Sequence, residues 1–392
     1  MKLFEITHRD PAGAARTGIL HLRGERIETP VFMPVGTRAT VKAMLPDEVA
    51  RIGYRLILGN TFHLELRPGS RLIERLGGLH RFMNWPHAIL TDSGGFQVYS
   101  LAPMRKLTEA GAEFRSPYDG QRIHLTPEEA IAIQHRLGSD IVMAFDECLD
   151  FNAPADAVRA ALERTLRWLD RCRAAHAPRA GRAHLFGIVQ GHFDAALRAE
   201  SARRTVERDL PGYAIGGLSV GEPEPLMLEM LEAAVAHLPA DRPRYAMGIG
   251  LPLNLIDMAA RGVDMFDCVV PTRNARNGRV YTFAGIRSIK QNQFAEDPAP
   301  LEADCPCSAC RHYSRAYLRH LYQCNEILSS RLLTEHNLTF FWRLMDRIRS
   351  AIRAGGLRGL RAELAAAYAA PQDAAAGGDA PDPSGPCRER SQ

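Results

Sequence analysis

The chain has 392 residues, of which 46% are hydrophobic and 24% are charged, and its formal net charge is +4. This composition is typical of a globular protein with a large core, and the small positive charge favours an anionic partner. Residues 1–16 lack the apolar run of a signal peptide, and no stretch has the ~20 apolar residues of a membrane span, so we expect a cytoplasmic protein without a membrane segment.

Short apolar runs, each bounded by polar or glycine residues, predict strands along most of the chain. These runs are Pro30–Pro34, Leu56–Leu58, Ala88–Leu90, Ile141–Phe145, Leu185–Val189, Tyr213–Ile215, Tyr245–Ile249 and Val263–Cys268. Their continuous apolarity indicates burial on both faces. Apolar residues at three- and four-residue spacing predict intervening helices, for example over Pro127–Leu137 and Ala157–Leu169. The pattern predicts an α/β fold, a (β/α)8 TIM barrel, although a doubly wound open sheet gives similar local signals.

Polar residues or glycines close most of the predicted strands. They are Asn60, Asp92, Asp146, Gln190, Gly216–Gly217, Gly248 and Asp267. The carboxyl ends of all strands in a barrel converge on one face. We therefore expect these groups to line a single pocket.

The alternation of strands and helices ends after the eighth predicted strand. Leu338–Ala354 is predicted as the last barrel helix, because its apolar residues form one stripe and Gly355–Gly356 follows it. The tail after Ala370 is rich in Ala, Gly, Pro and Asp and is predicted to be disordered. The predicted division is a catalytic barrel over 1–271, an arginine loop and zinc-binding subdomain over 272–336, the closing helix with a C-terminal helical segment over 337–369, and a disordered tail over 370–392.

Cys305, Cys307 and Cys310 place three thiols within six residues. Clustered cysteines in a reducing compartment indicate a metal rather than disulfides. Structural zinc takes four tetrahedral sulfur or nitrogen ligands, so one more ligand is needed. The spacing leaves the candidates His312, His320, Cys324 and His336. A ligand from the following helix would tie the loop to that helix, which suits Cys324 or His336.

Asp92, Asp146 and Asp267 each stand in an apolar context at the end of a predicted strand. Any one of them alone is equally well explained as a helix cap or an arginine partner, but three together favour chemistry. Paired carboxylates that flank a sugar perform glycosidic-bond chemistry. The amide of Gln190 and the backbone of Gly216–Gly217 suit the edge of a nucleobase.

Arg273 and Arg276 follow the eighth predicted strand within the segment Pro271–Gly278, which is predicted to be a loop beside Asp267. Arginines at such a place can clamp phosphate through paired hydrogen bonds. A solvated loop whose arginines pair with nearby acids is an equally good interpretation.

Several long motifs, taken together, carry a family resemblance. They are Thr91–Gln97, Asp146–Cys148, Gly187–Gly191, Tyr213–Leu218, Asp264–Cys268, Pro271–Gly278 and the Cys-x-Cys-x2-Cys cluster. From about residue 3 to about residue 368, the chain resembles bacterial tRNA-guanine transglycosylases, also called queuine tRNA-ribosyltransferases. The resemblance implies an enzyme of queuosine biosynthesis that exchanges the wobble guanine of tRNAs with a G-U-N anticodon for 7-aminomethyl-7-deazaguanine (preQ1).

The resemblance also implies roles for individual residues. Asp267 is similar to the nucleophile that forms a covalent bond to the ribose, and Asp92 to the general acid/base. The implied base-binding residues are Asp92, Asp146, Gln190, Gly217 and Leu218, with Phe96 and Met247 stacking on the two faces of the base. Arg273 and Arg276 are similar to arginines that contact tRNA. The implied ligands of one structural Zn2+ per subunit are Cys305, Cys307, Cys310 and His336, and the family is typically homodimeric.

The choice of preQ1 as the incoming base depends on Cys148 and Val220, which match the bacterial form. The alternatives are an archaeosine-type transglycosylase, a non-catalytic zinc-containing tRNA-binding subunit, and a plain glycoside hydrolase. The first usually has additional RNA-binding domains, and the second lacks the nucleophile. A glycoside hydrolase leaves the cysteine cluster and the arginines unexplained.

Overall fold

The structure, a computed structural model, describes residues 2–95 and 106–369. Eight parallel strands close into a barrel. They are Val31–Gly36, Leu56–Gly59, Ala88–Thr91, Ile141–Met143, His184–Val189, Gly212–Ile215, Arg244–Ala246 and Met265–Cys268. The last strand pairs with the first, from Met265 opposite Val31 to Cys268 opposite Pro34. The predicted (β/α)8 barrel is therefore confirmed, and the open sheet is excluded.

Helices surround the barrel and connect its strands. Among the described residues, the α-helices are Pro46–Ile52, Thr61–Leu66, Ser70–Arg75, Gly78–Phe82, Pro127–Leu137, Ala155–His176, Ala195–Val206, Glu224–Val235, Pro252–Ala260, Val270–Arg276, Ser308–His312, Arg315–Gln323, Ile327–Arg353 and Leu357–Ala369, and Ala177–Arg179 and Asn292–Phe294 are 3-10 turns. The predicted helix over Pro127–Leu137 has both predicted ends, with Thr126 as its N-cap and Gly138 after its last residue. None of the described helices combines the length and apolarity that a membrane crossing requires.

Some predicted strands are longer than the observed ones, because apolar residues continue into buried loops. The fourth strand ends at Met143, and the following Phe145 is 1% exposed and stacks on Trp168 with ring centroids 4.8 Å apart. The seventh strand ends at Ala246, while Ile249 beyond it is also buried. Continuous apolarity thus reports burial on this side of the barrel rather than strand length.

The barrel strands are apolar on both faces because alternate residues belong to two different layers. In the last strand, Met265 packs inside the barrel with Tyr245 and Phe186, whereas Phe266 packs outward against the helices. Side chains of a strand alternate in direction, so Asp267 shares the inward side of Met265. This alternation directs the Asp267 carboxylate into the mouth of the barrel.

Residues before the first barrel strand form a three-stranded antiparallel sheet that the sequence analysis did not predict. Its strands are Phe4–Arg9, Arg16–Leu22 and Glu25–Thr29. Phe4 and Leu20 pack against the inward-facing residues of the barrel. Arg16 forms a buried bidentate ion pair with Asp264, the residue immediately before the last barrel strand. Its Nε donates to Oδ1 at 2.9 Å and its Nη2 donates to Oδ2 at 2.5 Å. The sheet therefore covers the amino-terminal end of the barrel.

A second three-stranded antiparallel sheet, also not predicted, is inserted between the third barrel strand and the helix Pro127–Leu137. Its strands are Lys106–Leu107, Ala112–Arg115 and Arg122–Leu125. Phe114 and Leu125 are each 4% exposed and belong to the main core, and the ring of Phe114 lies 5.2 Å from that of Phe62. One face of this sheet is thus anchored on the barrel, and the other faces solvent.

The long helix near the C-terminus begins at Ile327 rather than at the predicted Leu338, so it runs across the boundary drawn between residues 336 and 337. Its buried stripe already starts at Leu332 and Leu333, which pack on the segment that contains the cysteine cluster. The hairpin strands Arg279–Thr282 and Gly285–Ser288 precede that segment. The predicted tail over 370–392 lies outside the described residues.

Candidate active site and metal centre

Asp267 lies in the last barrel strand and is 9% exposed. The Tyr245 hydroxyl donates a hydrogen bond to its Oδ1 at 2.5 Å, and the Gly248 amide donates to the same oxygen at 2.9 Å. No residue of 2–95 or 106–369 donates a hydrogen bond to Oδ2. Burial raises the pKa of Asp267, and the two hydrogen bonds partly oppose this rise. The carboxylate is thus held by one oxygen and presents the other to the barrel mouth.

Tyr245 was within a predicted strand, but the sequence assigned it no role. Burial, together with the charges of Asp267 and Asp92, raises the pKa of Tyr245 well above its ordinary value. Its hydroxyl therefore keeps its proton and is the donor in the bond to Asp267. The influence of both aspartates on one hydroxyl also indicates that the two carboxylates occupy the same end of the barrel.

Asp92 directly follows the third barrel strand and is held by the end of the second one. Asn60 Nδ2 donates to its Oδ2 at 2.5 Å, and the Thr61 amide donates to Oδ1 at 2.7 Å. The Thr61 hydroxyl donates to the backbone oxygen of Asp92 at 2.5 Å. The predicted convergence of strand ends therefore holds for Asn60 and Asp92.

Asp146, Gln190 and Gly217 meet after the fourth, fifth and sixth strands. Gln190 Nε2 donates to Asp146 Oδ2 at 2.6 Å. Burial raises the pKa of Asp146 to about 6, although hydrogen bonds from Gln190 and Ser93 work against it. A Cβ atom on Gly217 would lie 2.5 Å from Gln190 Oε1, and Gly217 has φ +63°. Only glycine therefore lets the backbone approach the Gln190 amide here.

Arg198 is a site residue that the sequence analysis missed. It is fully buried in the helix Ala195–Val206, and its guanidinium donates to the carbonyl oxygens of Gly216 at 2.6 Å and Gly217 at 3.0 Å. It also donates to the carbonyls of Val189 and His192 at 3.2 and 2.7 Å. Burial lowers its pKa to about 10. Its only signal in the sequence is a three- and four-residue spacing to Ser201 and Ala202 on the buried side of the helix.

Three predicted base-binding residues remain. Leu218 follows the sixth strand, Met247 follows the seventh, and Phe96 is not among the described residues. Leu218 is 5% exposed, and Met247 is half-buried with its amide donating to the Ile215 carbonyl at 3.2 Å. Cys148 is buried and Val220 is half-buried.

Arg273 and Arg276 lie in a short helix, Val270–Arg276, and the prediction of a loop was wrong. Pro271 stands in the first turn, where its lost N–H has no helical partner, and Gly278 follows the helix with φ +77°. Arg273 is exposed. Arg276 is half-buried, donates to the Thr272 carbonyl at 2.8 Å, and has its pKa lowered by burial and by Arg273.

Cys305, Cys307, Cys310 and His336 form a buried cluster whose ligand atoms all lie within 4.8 Å of one another. The Nδ1 atom of His336 is 3.7, 3.6 and 3.3 Å from the three sulfur atoms in chain order. A tetrahedral ion with bonds of about 2.3 Å to sulfur and about 2.0 Å to nitrogen requires ligand separations of this size. His336 Nε2 is 2.9 Å from the Tyr281 carbonyl, which leaves Nδ1 to the cluster. This set of donors can hold a metal ion.

The structure thereby chooses among the candidates for the fourth ligand. His312 and His320 are exposed, and the exposed Cys324 lies beside His320, with Sγ 3.8 Å from Nδ1. His336 reaches the cysteines because the long helix starts early enough to pass beneath their loop. The Ser308 amide and hydroxyl also bind the Glu335 carboxylate, both at 2.9 Å, so that the loop and the helix are joined beside the cluster.

The chain is similar to known proteins over most of its length. The family model described as queuine tRNA-ribosyltransferase matches residues 10–370. The queuine tRNA-ribosyltransferase of Caldanaerobacter subterraneus subsp. tengcongensis is 54% identical over 365 residues, which cover 93% of this chain and 97% of that protein. The queuine tRNA-ribosyltransferase of Symbiobacterium thermophilum is 56% identical over 352 residues, which cover 90% of this chain and 88% of that protein. The queuine tRNA-ribosyltransferase of Thermoanaerobacter pseudethanolicus is 55% identical over 350 residues, which cover 89% of this chain and 93% of that protein.

Proposed function

This chain belongs to the queuine tRNA-ribosyltransferase family and is a tRNA-guanine transglycosylase, and we propose that it exchanges the wobble guanine of G-U-N anticodon tRNAs for preQ1 through a covalent intermediate on Asp267. The observation that carries the proposal is the state of the Asp267 carboxylate. Its Oδ1 accepts hydrogen bonds from Tyr245 and Gly248, while its Oδ2 has no donor among the described residues. Such a carboxylate is oriented for attack through one oxygen.

The exchange consists of two displacements at the ribose. Oδ2 of Asp267 attacks C1′, the bond from C1′ to N9 breaks, and the leaving guanine takes a proton at N9 from the Asp92 carboxyl group. Asp92 then takes the N9 proton of the incoming base, whose N9 attacks C1′ as the bond to Asp267 breaks. Two inversions return the ribose to its original configuration. Asn60 and Thr61 hold the Asp92 carboxylate for this proton transfer.

The base-binding groups match the polar edge of guanine. The guanine edge presents N1–H and N2–H2 donors, which an ionised Asp146 accepts, while the amides of Gln190 and Gly217 donate to the carbonyl O6. Leu218, which follows Gly217 in the chain, is proposed to contact the same base, and Phe96 and Met247 are proposed to stack on the two faces of its ring. The buried thiol of Cys148 and the half-buried Val220 suit the small aminomethyl group of preQ1 better than the larger substituent of queuine.

Arg273 and Arg276 are proposed to bind phosphates of the anticodon loop from which the target nucleotide is flipped into the pocket. The Cys305, Cys307, Cys310 and His336 cluster is proposed to bind one Zn2+, which would join the cysteine loop to the helix Ile327–Arg353. The four ligands fill a tetrahedral site, so this metal would be structural. The proposal includes a homodimer, for which the exposed side chains of Leu45 and Ile327 offer apolar surface.

The test is exchange of labelled guanine into a tRNA with a G-U-N anticodon, together with isolation of an enzyme-RNA adduct that survives denaturation. The isosteric variant Asp267→Asn is expected to lose both signals, whereas the exposed Asp241→Asn retains them. An adduct that persists in Asp267→Asn moves the nucleophile to another residue, with Asp92 as the first candidate. Offering preQ1, queuine and the archaeosine precursor separately decides which base the enzyme inserts, and no exchange by the wild type would leave a non-catalytic tRNA-binding role.

A further inference from the structure

The sheet inserted after the third barrel strand concentrates positive charge on its exposed side. Lys106, Arg115, Arg122 and His124 are all exposed on this side, and we refer to these four residues as the basic sheet face. Glu113 is the single acidic residue within the strands of this sheet, and it lies on the same exposed side, opposite Lys106 and His124, so the uncompensated charge belongs to Arg115 and Arg122. A shallow groove of about 410 Å³ runs along the same residues.

Two arginines of the basic sheet face stand directly opposite each other across a strand pair, Arg115 beside Arg122. Directly opposed like charges in a sheet have Cβ atoms ~5 Å apart and destabilise it. Arg115 donates to the Gly120 carbonyl at 3.1 Å, and Arg122 makes no hydrogen bond or ion pair with any residue of 2–95 or 106–369. An anion between the two guanidinium groups would relieve this repulsion.

Two other arginines, on a neighbouring helix, form ion pairs with carboxylates. Arg167 and Arg171, on the helix Ala155–His176, pair with Glu109 and Glu128 at 2.8 and 2.7 Å. By contrast, Arg115 and Arg122 form no ion pair with a described residue.

The basic sheet face lies on the active-site end of the barrel. The sheet is inserted into the connection between a barrel strand and its helix, and such connections lie at the carboxyl ends of the strands. Asp92 ends the same barrel strand, and Phe114 of the sheet packs on Phe62, next to the Thr61 that holds Asp92. In the turn of the sheet, Tyr118 adds contacts to Arg38, at 2.9 Å, and Arg67, 4.5 Å above its ring.

We propose that the basic sheet face binds the phosphate backbone of the tRNA, as a contact separate from Arg273 and Arg276. Paired guanidinium groups suit phosphate oxygens, and exposed cations beside a base-binding pocket supply affinity that does not depend on sequence. The inference rests on the proposed function, because it takes the tRNA as the ligand. It adds a positioning surface on the third strand to the arginines that follow the eighth.

The test measures the Kd of a G-U-N tRNA for the double variant Arg115→Gln/Arg122→Gln between about 0.05 and 0.2 M salt. Loss of two phosphate contacts is expected to raise Kd by about tenfold and to reduce the slope of log Kd against log salt by about 1.4 to 1.8. Arg115→Lys/Arg122→Lys keeps the charges and should keep the slope. The matched control is Arg9→Gln/Arg26→Gln, two exposed arginines on the sheet that covers the opposite end of the barrel, which should bind tRNA as the wild type does.

The exchange rate at saturating tRNA and the KM for guanine should be unchanged in the Gln double variant. A wild-type Kd and salt slope in that variant would overturn the inference while leaving the proposed function intact. Failure of the wild-type enzyme to exchange guanine would instead defeat the proposed function. A Gln variant that melts below the wild type is judged by the Lys pair: recovery of the melting temperature without recovery of the salt slope also overturns the inference.

Discussion

The Tyr245 hydroxyl donates a 2.5 Å hydrogen bond to Oδ1 of Asp267, and the two residues belong to adjacent barrel strands. Since the raised pKa of Tyr245 keeps the phenol protonated, this bond favours the ionised form of Asp267. It also restrains the carboxylate so that Oδ2 faces the barrel mouth. Tyr245 is therefore a positioning residue for the proposed nucleophile.

Tyr245→Phe is expected to slow guanine exchange by about ten- to a hundredfold, the range that corresponds to one hydrogen bond to a charged group. Without the donor, the pKa of Asp267 rises further, so the acid limb of the pH-rate profile should move to higher pH. Exchange rates measured across this limb test both effects. The control is Tyr213→Phe, a buried tyrosine whose hydroxyl accepts from the Leu210 amide at 3.1 Å. An unshifted profile in Tyr245→Phe would show that the hydroxyl does not act on Asp267.

Asp146→Asn is expected to stabilise the fold at neutral pH and to abolish guanine exchange. The pKa of Asp146 is raised from 3.8 to about 6, so folding takes up a proton between these values. Stability that depends on this group is therefore present at low pH and is lost as pH rises through about 6, with an upper limit of about 3 kcal/mol. The variant removes that loss, but its amide no longer presents a charged acceptor to guanine.

Thermal unfolding of Asp146→Asn and the wild type should consequently differ most above pH 6, and the difference should shrink toward pH 4. Guanine affinity of the wild type should decline as pH falls below about 6, since protonated Asp146 is a poorer acceptor. Asp241→Asn, on the surface, is the matched control for stability. A difference in melting temperature that stays constant with pH would contradict the assigned titration.

Arg198→Met is expected to destabilise the protein by about 3 kcal/mol or more, because buried carbonyls of the loops after the fifth and sixth strands lose their donors. Arg198→Lys keeps the charge but not the planar fork that reaches Gly216 and Gly217 together. For this variant we expect a higher KM for guanine with a smaller change in kcat. Equal KM values in folded Arg198→Lys and wild type would argue for a purely structural role.

Cys307→Ala is expected to lose the bound metal and to lower the melting temperature, because an incomplete ligand set no longer joins the cysteine loop to the helix Ile327–Arg353. Metal analysis should find one zinc per wild-type chain and little in the variant. Cys324→Ala, which changes an exposed cysteine outside the cluster, should keep its zinc. Full stability of zinc-free protein would contradict a structural metal.

Much of the barrel was predictable because the burial of a strand is visible in the residues of that strand alone. In each barrel strand, residues such as Met265 face the barrel interior and residues such as Phe266 face the surrounding helices. Because both sets are buried, the strand appears in the sequence as an uninterrupted apolar run. Once the barrel is inferred, its topology alone brings Asp92, Asp146, Gln190 and Asp267 to one end. The two small antiparallel sheets were missed because several of their strands bury only one face, so that buried and exposed residues alternate and no uninterrupted apolar run marks the strand.

What the sequence determined by itself was the set of chemical groups at the strand ends and the three clustered thiols. Tertiary structure decided how those groups are held. His336 became the fourth member of the cysteine and histidine cluster through a helix that begins earlier than predicted, and Tyr245 and Arg198 acquired their partners only when neighbouring strands and loops were assembled. The physical reason is that local periodicity reports which residues are buried, whereas hydrogen bonds between buried groups depend on which segments the closed barrel places side by side.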